Sequence, residues 1–326
     1  MGQIVAIAGT SHSPMLGMRP ELMWTKRAED DKANTGLLDA NGDNKSYEEL
    51  EQLAAGKYDA ELTTEVWNRK WDKAQECITR LREDLIALKP DLLVVIGDDQ
   101  EELFTARNQP AMAVFYGAEM ATHLPIDRGS EIMMEVQRAL GMDGAVYPAH
   151  PQAALHVIDS LVEAGFDVAT SSETETEHGF GHAFAWVTGR LLKGYDVPTL
   201  PLLINTYFPP NQPRASRCYE LGVALRQAIE SFEDDLRVAV VASGGLSHFV
   251  VDEGIDELVL DAMKSGDAET LRNIDAKRLN SGTSEIRNWI AAAGAGEHLK
   301  PSWVEYIPAY RSPAGTGCGL AFGLWA

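Results

Sequence analysis

Positive charge is what this sequence has least of. Its 326 residues include 28 Lys and Arg against 49 Asp and Glu, a formal charge of -21. A chain this acidic repels nucleic-acid phosphates and anionic membrane surfaces, so neither is expected as a partner. A small anionic substrate stays open, because the field inside a site is set by its own residues. Long apolar runs are missing too: none approaches the ~20 residues that a membrane span needs. Cysteine is sparse. Cys77, Cys218 and Cys318 are odd in number and far apart, which points to a reducing compartment and gives no zinc-binding spacing. The first residues, Met1-Gly2-Gln3-Ile4-Val5, run straight into a strand pattern without a leader signature, and the cytoplasm is the expected location.

Short apolar runs alternate with amphipathic stretches. Residues 3–9, 92–96, 111–116, 166–170, 199–205 and 238–242 read as strands, with further strands at 304–309 and 319–325. Helical periodicity marks 60–89, 129–140, 153–164, 182–192 and 216–231, with shorter helices between 255 and 273. Another helix runs to about 293, with Thr283 or Ser284 as its cap. The alternation predicts a single-domain α/β sandwich, its central mixed or parallel sheet flanked by helices. Residues 18–59 are polar and punctuated by Asn and Gly, and read as a helical or loop insertion near the N-terminus.

Polar residues collect where strands end. Val238 to Ala242 is continuously apolar and stops at Ser243-Gly244-Gly245-Leu246-Ser247-His248. The first strand stops at Gly9-Thr10-Ser11-His12-Ser13-Pro14, and Leu92 to Ile96 at Gly97-Asp98-Asp99-Gln100-Glu101-Glu102. Open α/β sheets bind ligands outside the carboxyl ends of their strands. His178 and His182 form another polar group, and Glu285 opens a helix. Two histidines and a carboxylate on one face are the usual set for a non-haem Fe(II) site that activates O2. Residues this scattered can converge only through the fold. A turn histidine that caps a helix accounts for His248 equally well.

The segments Gly9-Thr10-Ser11-His12-Ser13-Pro14, Glu177-His178-Gly179 and Ser243-Gly244-Gly245-Leu246-Ser247-His248, followed by Glu285, Ile286 and Trp289, together resemble the class III extradiol ring-cleavage dioxygenases. That is the family of the protocatechuate 4,5-dioxygenase β-subunit. The pieces occur in the family's order over nearly the whole chain outside 18–59. The 3-O-methylgallate dioxygenases are similar in length. The resemblance implies Fe(II) as cofactor, with a small aromatic substrate and O2 as partners; a homo-oligomer, a dimer, is the expected assembly. It implies His12 and Glu285 as metal ligands, His248 as catalytic acid/base and His178 as a catalytic group that helps hold the substrate.

One position departs from the family. Where its second iron histidine follows a strand in Asn-Asp-His, this chain has Asp98-Asp99-Gln100. Gln100 offers a carbonyl oxygen, a weaker ligand than imidazole. Either Gln100 ligates, or another side chain such as His182 or Glu101 fills in, or the site is weakened. For a substrate carboxylate, Arg311 is the candidate, with Tyr207, Asn205 and His182 as further substrate contacts; a salt bridge to an acid explains Arg311 as well. Two other classes fit the same residues: a divalent-metal hydrolase using Asp98 and Asp99, and a small-ligand binding protein with a degenerate metal site.

Overall fold

The computed structural model describes residues 1–127 and 129–326. In chain order the elements are β1 (Gln3–Thr10), α1 (Pro20–Asp31), α2 (Tyr47–Ala54), α3 (Thr64–Ala87), β2 (Leu92–Gly97), β3 (Met112–Phe115), β4 (Glu119–Ala121), α4 (Glu131–Ala139), β5 (Val146–Pro148), α5 (Pro151–Glu163), β6 (Ala169–Ser171), α6 (His182–Ala185), β7 (Thr199–Ile204), α7 (Ala215–Ser231), β8 (Arg237–Ser243), α8 (Glu253–Ser265), α9 (Ala268–Arg272), α10 (Ile286–Ala295), β9 (Pro301–Tyr310) and β10 (Gly317–Trp325).

Eight strands form one sheet in the order β6-β3-β7-β2-β8-β1-β10-β9. Its centre, β7-β2-β8-β1, is parallel, and antiparallel partners close the β1 side. The expected mixed α/β architecture is what forms. The central strands are buried on both faces, which is why their sequences are continuously apolar rather than alternating. Two apolar cores flank the sheet. One packs α5, α7, α8 and α10 against residues such as Val94, Val240 and Ile4. The other packs α1, α3 and α4 against Ala8, Val95 and Val241.

Local chemistry sets the element ends. Helix α3 begins four residues later than its apolar spacing predicts, because the Thr63 hydroxyl accepts from the Val66 amide and caps it there. Every residue of α10 is buried, as befits a helix held between α7 and the sheet. The Trp289 ring lies across β1, where a Cβ on Gly9 would stand 2.1 Å from it. Any larger residue at position 9 would displace the helix that begins beside Glu285.

The segment 18–59 contains α1 and α2, and it is tied to the sheet end by a buried ion pair. Arg311 Nε and Nη2 donate to Asp31 Oδ2 and Oδ1 at 2.7 and 2.8 Å. Losing one partner of a buried pair leaves the other charge uncompensated. Asp31→Asn is therefore expected to cost about 3–5 kcal/mol in urea denaturation; a change within error would mean that the pair does not anchor this segment.

Candidate functional site

Strands β2, β8 and β1 are adjacent and parallel, so their carboxyl ends open onto one point. That places His12, the loop starting at Asp98, and Ser243 to His248 together. Glu285 arrives from a short 3-10 turn, Ser281–Glu285, that leads into α10. Donor atoms of His12, Asp98 and Glu285 all lie within 4.8 Å of one another, and all three residues are buried.

Each side chain is oriented. Ser243 Oγ donates its one proton to the Ala183 carbonyl. At 3.0 Å it must then accept from His12 Nδ1. In the neutral ring this leaves the lone pair on Nε2, the nitrogen that faces the cluster. His12 Nε2 is 3.3 Å from Glu285 Oε2, but it is not aligned with any hydrogen-bond partner. Glu285 Oε2 accepts from the Gly245 amide at 2.7 Å, and Oε1 lies 3.2 Å from His248 Nε2. Burial alone would raise the Glu285 carboxyl, but His248 and His12 beside it hold it well below the usual range.

His248 is fixed from both sides. Its Nδ1 donates to the Leu246 carbonyl at 2.9 Å, which turns Nε2 toward Glu285. Burial opposes its charge, yet Glu285 and Cys318 together hold the ring well above its ordinary pKa. Thr283, expected to cap a helix, instead brackets the His248 backbone: its hydroxyl donates to the His248 carbonyl and accepts from its amide, at 3.1 and 3.3 Å. Helix α10 starts from Glu285 without a side-chain cap. The turn carrying Glu285 and the loop carrying His248 are thus bonded to each other.

Several expected residues are placed otherwise. Gln100 Nε2 donates to Asp98 Oδ2 at 3.2 Å, and Asp98, weighed beforehand only for a hydrolase, is the residue that joins the cluster. Asp99 turns away: its oxygens accept from the Leu103 and Phe104 amides at 2.8 and 3.0 Å. That orientation counts against a hydrolase using Asp98 and Asp99 as a pair. His178 is exposed, in a loop where its amide bonds the Glu175 carbonyl. His182 is the one drawn inward, its ring 4.6 Å edge-on from that of His12 and its Nδ1 3.3 Å from Glu102 Oε1. Burial disfavours the charged ring, but Glu102, Asp98 and Glu285 push it up to about 9.

Arg311 is spent on Asp31, and its Nη1 faces the Met15 sulfur, so it has no free edge for a substrate carboxylate. Asn205 is also used up: its amide donates to the Phe208 carbonyl and Asn211, and its oxygen accepts from the Phe208 amide. It braces the loop 205–211. Tyr207 is half-buried against Phe208.

A family model described as the catalytic LigB subunit of aromatic ring-opening dioxygenase matches residues 58–321. The chain belongs to this family. Among curated proteins, it is 39% identical over 103 residues to a gallate dioxygenase of Pseudomonas putida, covering 31% of this chain and 29% of that protein. It is 32% identical over 162 residues, 48% of each chain, to a 2,3-dihydroxyphenylpropionate/2,3-dihydroxicinnamic acid 1,2-dioxygenase of a Rhodococcus species. A protein of the same name from Burkholderia vietnamiensis is 25% identical over 225 residues, 68% of this chain and 64% of that one. In all three the match spans less than two thirds of the relative. The family match begins at residue 58, so α1 and α2 lie outside it. Among the described residues no helix is long and apolar enough to cross a membrane.

Behind His248 lies a buried group that no sequence motif marked. Asp256 accepts from the Ser247 amide and hydroxyl and from the Tyr306 hydroxyl, all within 2.7 Å. Burial pushes its carboxyl up to about 7, against those hydrogen bonds. The folded state then keeps a proton that the unfolded chain has already released. This group's contribution to stability is fully present below about pH 4 and is lost as pH rises through about 7. Between pH 5 and 8 the wild type is expected to lose about 3 kcal/mol more than Asp256→Asn does. Parallel urea curves at the two pH values check this; equal losses would contradict it.

Proposed function

We propose that the protein is a non-haem Fe(II)-dependent extradiol dioxygenase that opens the ring of a catechol-type aromatic acid, of the protocatechuate, gallate or methylgallate kind, with O2. The observation that carries this is the meeting of His12, Glu285 and His248 at one buried point on the sheet edge, with Glu285 within 3.3 Å of both histidines. The names of the curated relatives support the same class of reaction. The donor set suits Fe(II): a neutral imidazole with its lone pair turned inward, beside a carboxylate that stays ionised.

His12 and Glu285 would hold the ion. Bound there, Fe(II) supplies Lewis acidity toward the two substrate hydroxyls and a redox centre for O2. The rest falls to the chain's own side chains. With Glu285 engaged by the ion its hold on the His248 proton would weaken, so that Nε2 can take a hydroxyl proton as the substrate enters and return one as the ring opens, while Nδ1 stays bonded to Leu246. His182, paired with Glu102, offers a second proton donor on the His12 side. The Gly245 amide and the Thr283 bracket keep the Glu285-to-His248 spacing constant, so the base does not drift as a proton moves.

The test is O2 consumption with a panel of catechols after anaerobic Fe(II) loading. Uptake equal to one O2 per ring opened, with a muconate-type chromophore appearing, is expected. Loaded protein that consumes no O2 with any catechol, or that instead hydrolyses esters, would overturn the proposal.

A further inference from the structure

We propose that Asp98, rather than the Gln100 amide, is the third protein donor at the metal centre. The ion would sit among one imidazole and two carboxylates, a set that is electrically neutral around a divalent ion and shifts its preference from Fe(II) toward Mn(II). The proposal rests on the metal-binding part of the reading above and adds a ligand and a metal preference to it.

Position is the first ground. Asp98 follows Gly97, the last residue of β2, so the strand itself delivers it next to the ends of β8 and β1. It is 2% exposed, and it belongs to the cluster whose donor atoms lie within 4.8 Å of one another. The second ground is an unmet bond. Asp98 Oδ1 is buried with no hydrogen-bond partner, and so is His12 Nε2. A buried polar atom left unpaired is costly, and more so when it is charged. The third is charge. Two carboxylates share this buried space, and among the described residues neither is within salt-bridge distance of a Lys or Arg; Glu285 meets only His12 and His248. A divalent cation would give both unpaired atoms a partner and relieve the repulsion between the two carboxylates.

Gln100 then has a different task. Its Nε2 donates to one carboxylate oxygen, Oδ2, at 3.2 Å, which leaves Oδ1 without a protein partner. It is a positioning residue of the kind that orients metal ligands from behind. Putting a carboxylate where an imidazole would be expected changes which ion is favoured. Imidazole suits Fe and Zn, whereas carboxylate oxygen suits Mn and Mg.

The experiment titrates metal-stripped protein anaerobically with Mn(II) and with Fe(II), by calorimetry and by Mn(II) electron paramagnetic resonance, without substrate. Asp98→Asn is expected to weaken both ions by about 100-fold or more, since even losing an outer partner costs about 10–100-fold. Mn(II) should lose more than Fe(II), so the Mn-to-Fe affinity ratio falls. Gln100→Ala should weaken both by no more than about 10-fold, the lower end of the outer-partner range. Melting temperature gives a second readout. With one of two like charges gone, stripped Asp98→Asn should melt above stripped wild type, yet gain less from added metal. Wild-type affinity in Asp98→Asn, a larger loss in Gln100→Ala than in Asp98→Asn, or a lower melting point for stripped Asp98→Asn would each overturn the proposal. Failure here is separable from failure of the dioxygenase assignment. Protein that binds metal through Asp98 but never consumes O2 with a catechol refutes only the activity. Ring cleavage by an Asp98→Asn variant with unchanged metal affinity refutes only the ligand.

Discussion

Glu285→Ala is expected to abolish stoichiometric Fe(II) binding. The carboxylate is 2% exposed and holds its charge because His12 and His248 flank it. Removing it takes away a negative donor that offsets the ion, and it leaves the two imidazoles without the carboxylate they face. It also strands the buried Gly245 amide, which now donates to Oε2 at 2.7 Å. Glu285→Gln keeps the shape and an acceptor for that amide while removing only the charge. It should fold like the wild type and still bind Fe(II) more than about 100-fold less tightly, beyond the loss caused by an outer-shell partner. His12→Ala should match Glu285→Ala, since it removes the one inward-facing imidazole lone pair fixed by Ser243. Anaerobic calorimetry and metal analysis of folded protein give the answer. Full iron occupancy in Glu285→Gln and in His12→Ala would place the metal elsewhere.

His248→Ala should behave in the opposite way, keeping the metal and losing the chemistry. His248 touches the cluster only through Glu285 Oε1 at 3.2 Å; its ring is held by the Leu246 carbonyl and its backbone by the Thr283 hydroxyl. Truncation at the Cβ leaves the Thr283 bracket in place, so the turn should survive. Turnover should fall by about 10²–10⁴-fold, the usual range for a general acid–base group, with Fe(II) affinity changed little. The pH dependence of the residual rate should also lose the limb due to this imidazole. Near-wild-type turnover in an iron-loaded His248→Ala protein would remove His248 from the mechanism. Loss of iron together with activity would instead make it a ligand.

His178 and His182 show where reading by pattern reached its limit. Both stand in the one segment His178-Gly179-Phe180-Gly181-His182, and motif resemblance favoured the first. The structure buries Phe180 against Phe115 and Phe184 and sets His182 at the start of α6. His182 therefore faces His12, while His178 stays in the exposed loop. Nothing in the spacing of the two histidines could decide this, because the decision is made by which aromatic ring fills the core between them. Arg311 is a similar case. Its partner Asp31 is 280 residues away in sequence, so sequence could offer a salt bridge and a substrate contact only as equals.

The sequence by itself determined the sheet-and-helix alternation, because strands buried on both faces must be continuously apolar and buried helices must repeat at helical spacing. It also marked His12, His248 and Glu285 as candidates, because they stand directly after such strands or open a buried helix and match the family's motifs in order. Only the tertiary structure decided what they build. Strand order puts β2, β8 and β1 side by side, and that order is set by long-range pairing, which leaves no local trace. It is this adjacency that brings Asp98 to His12 and Glu285 and turns Gln100 into its support. Residues at 12, 98 and 285 share one buried space because three parallel strands end at one edge and a helix start closes over them. Whether a carboxylate there is a cap, a salt-bridge partner or a metal donor depends on which of its oxygens is left unpaired, and only packing fixes that.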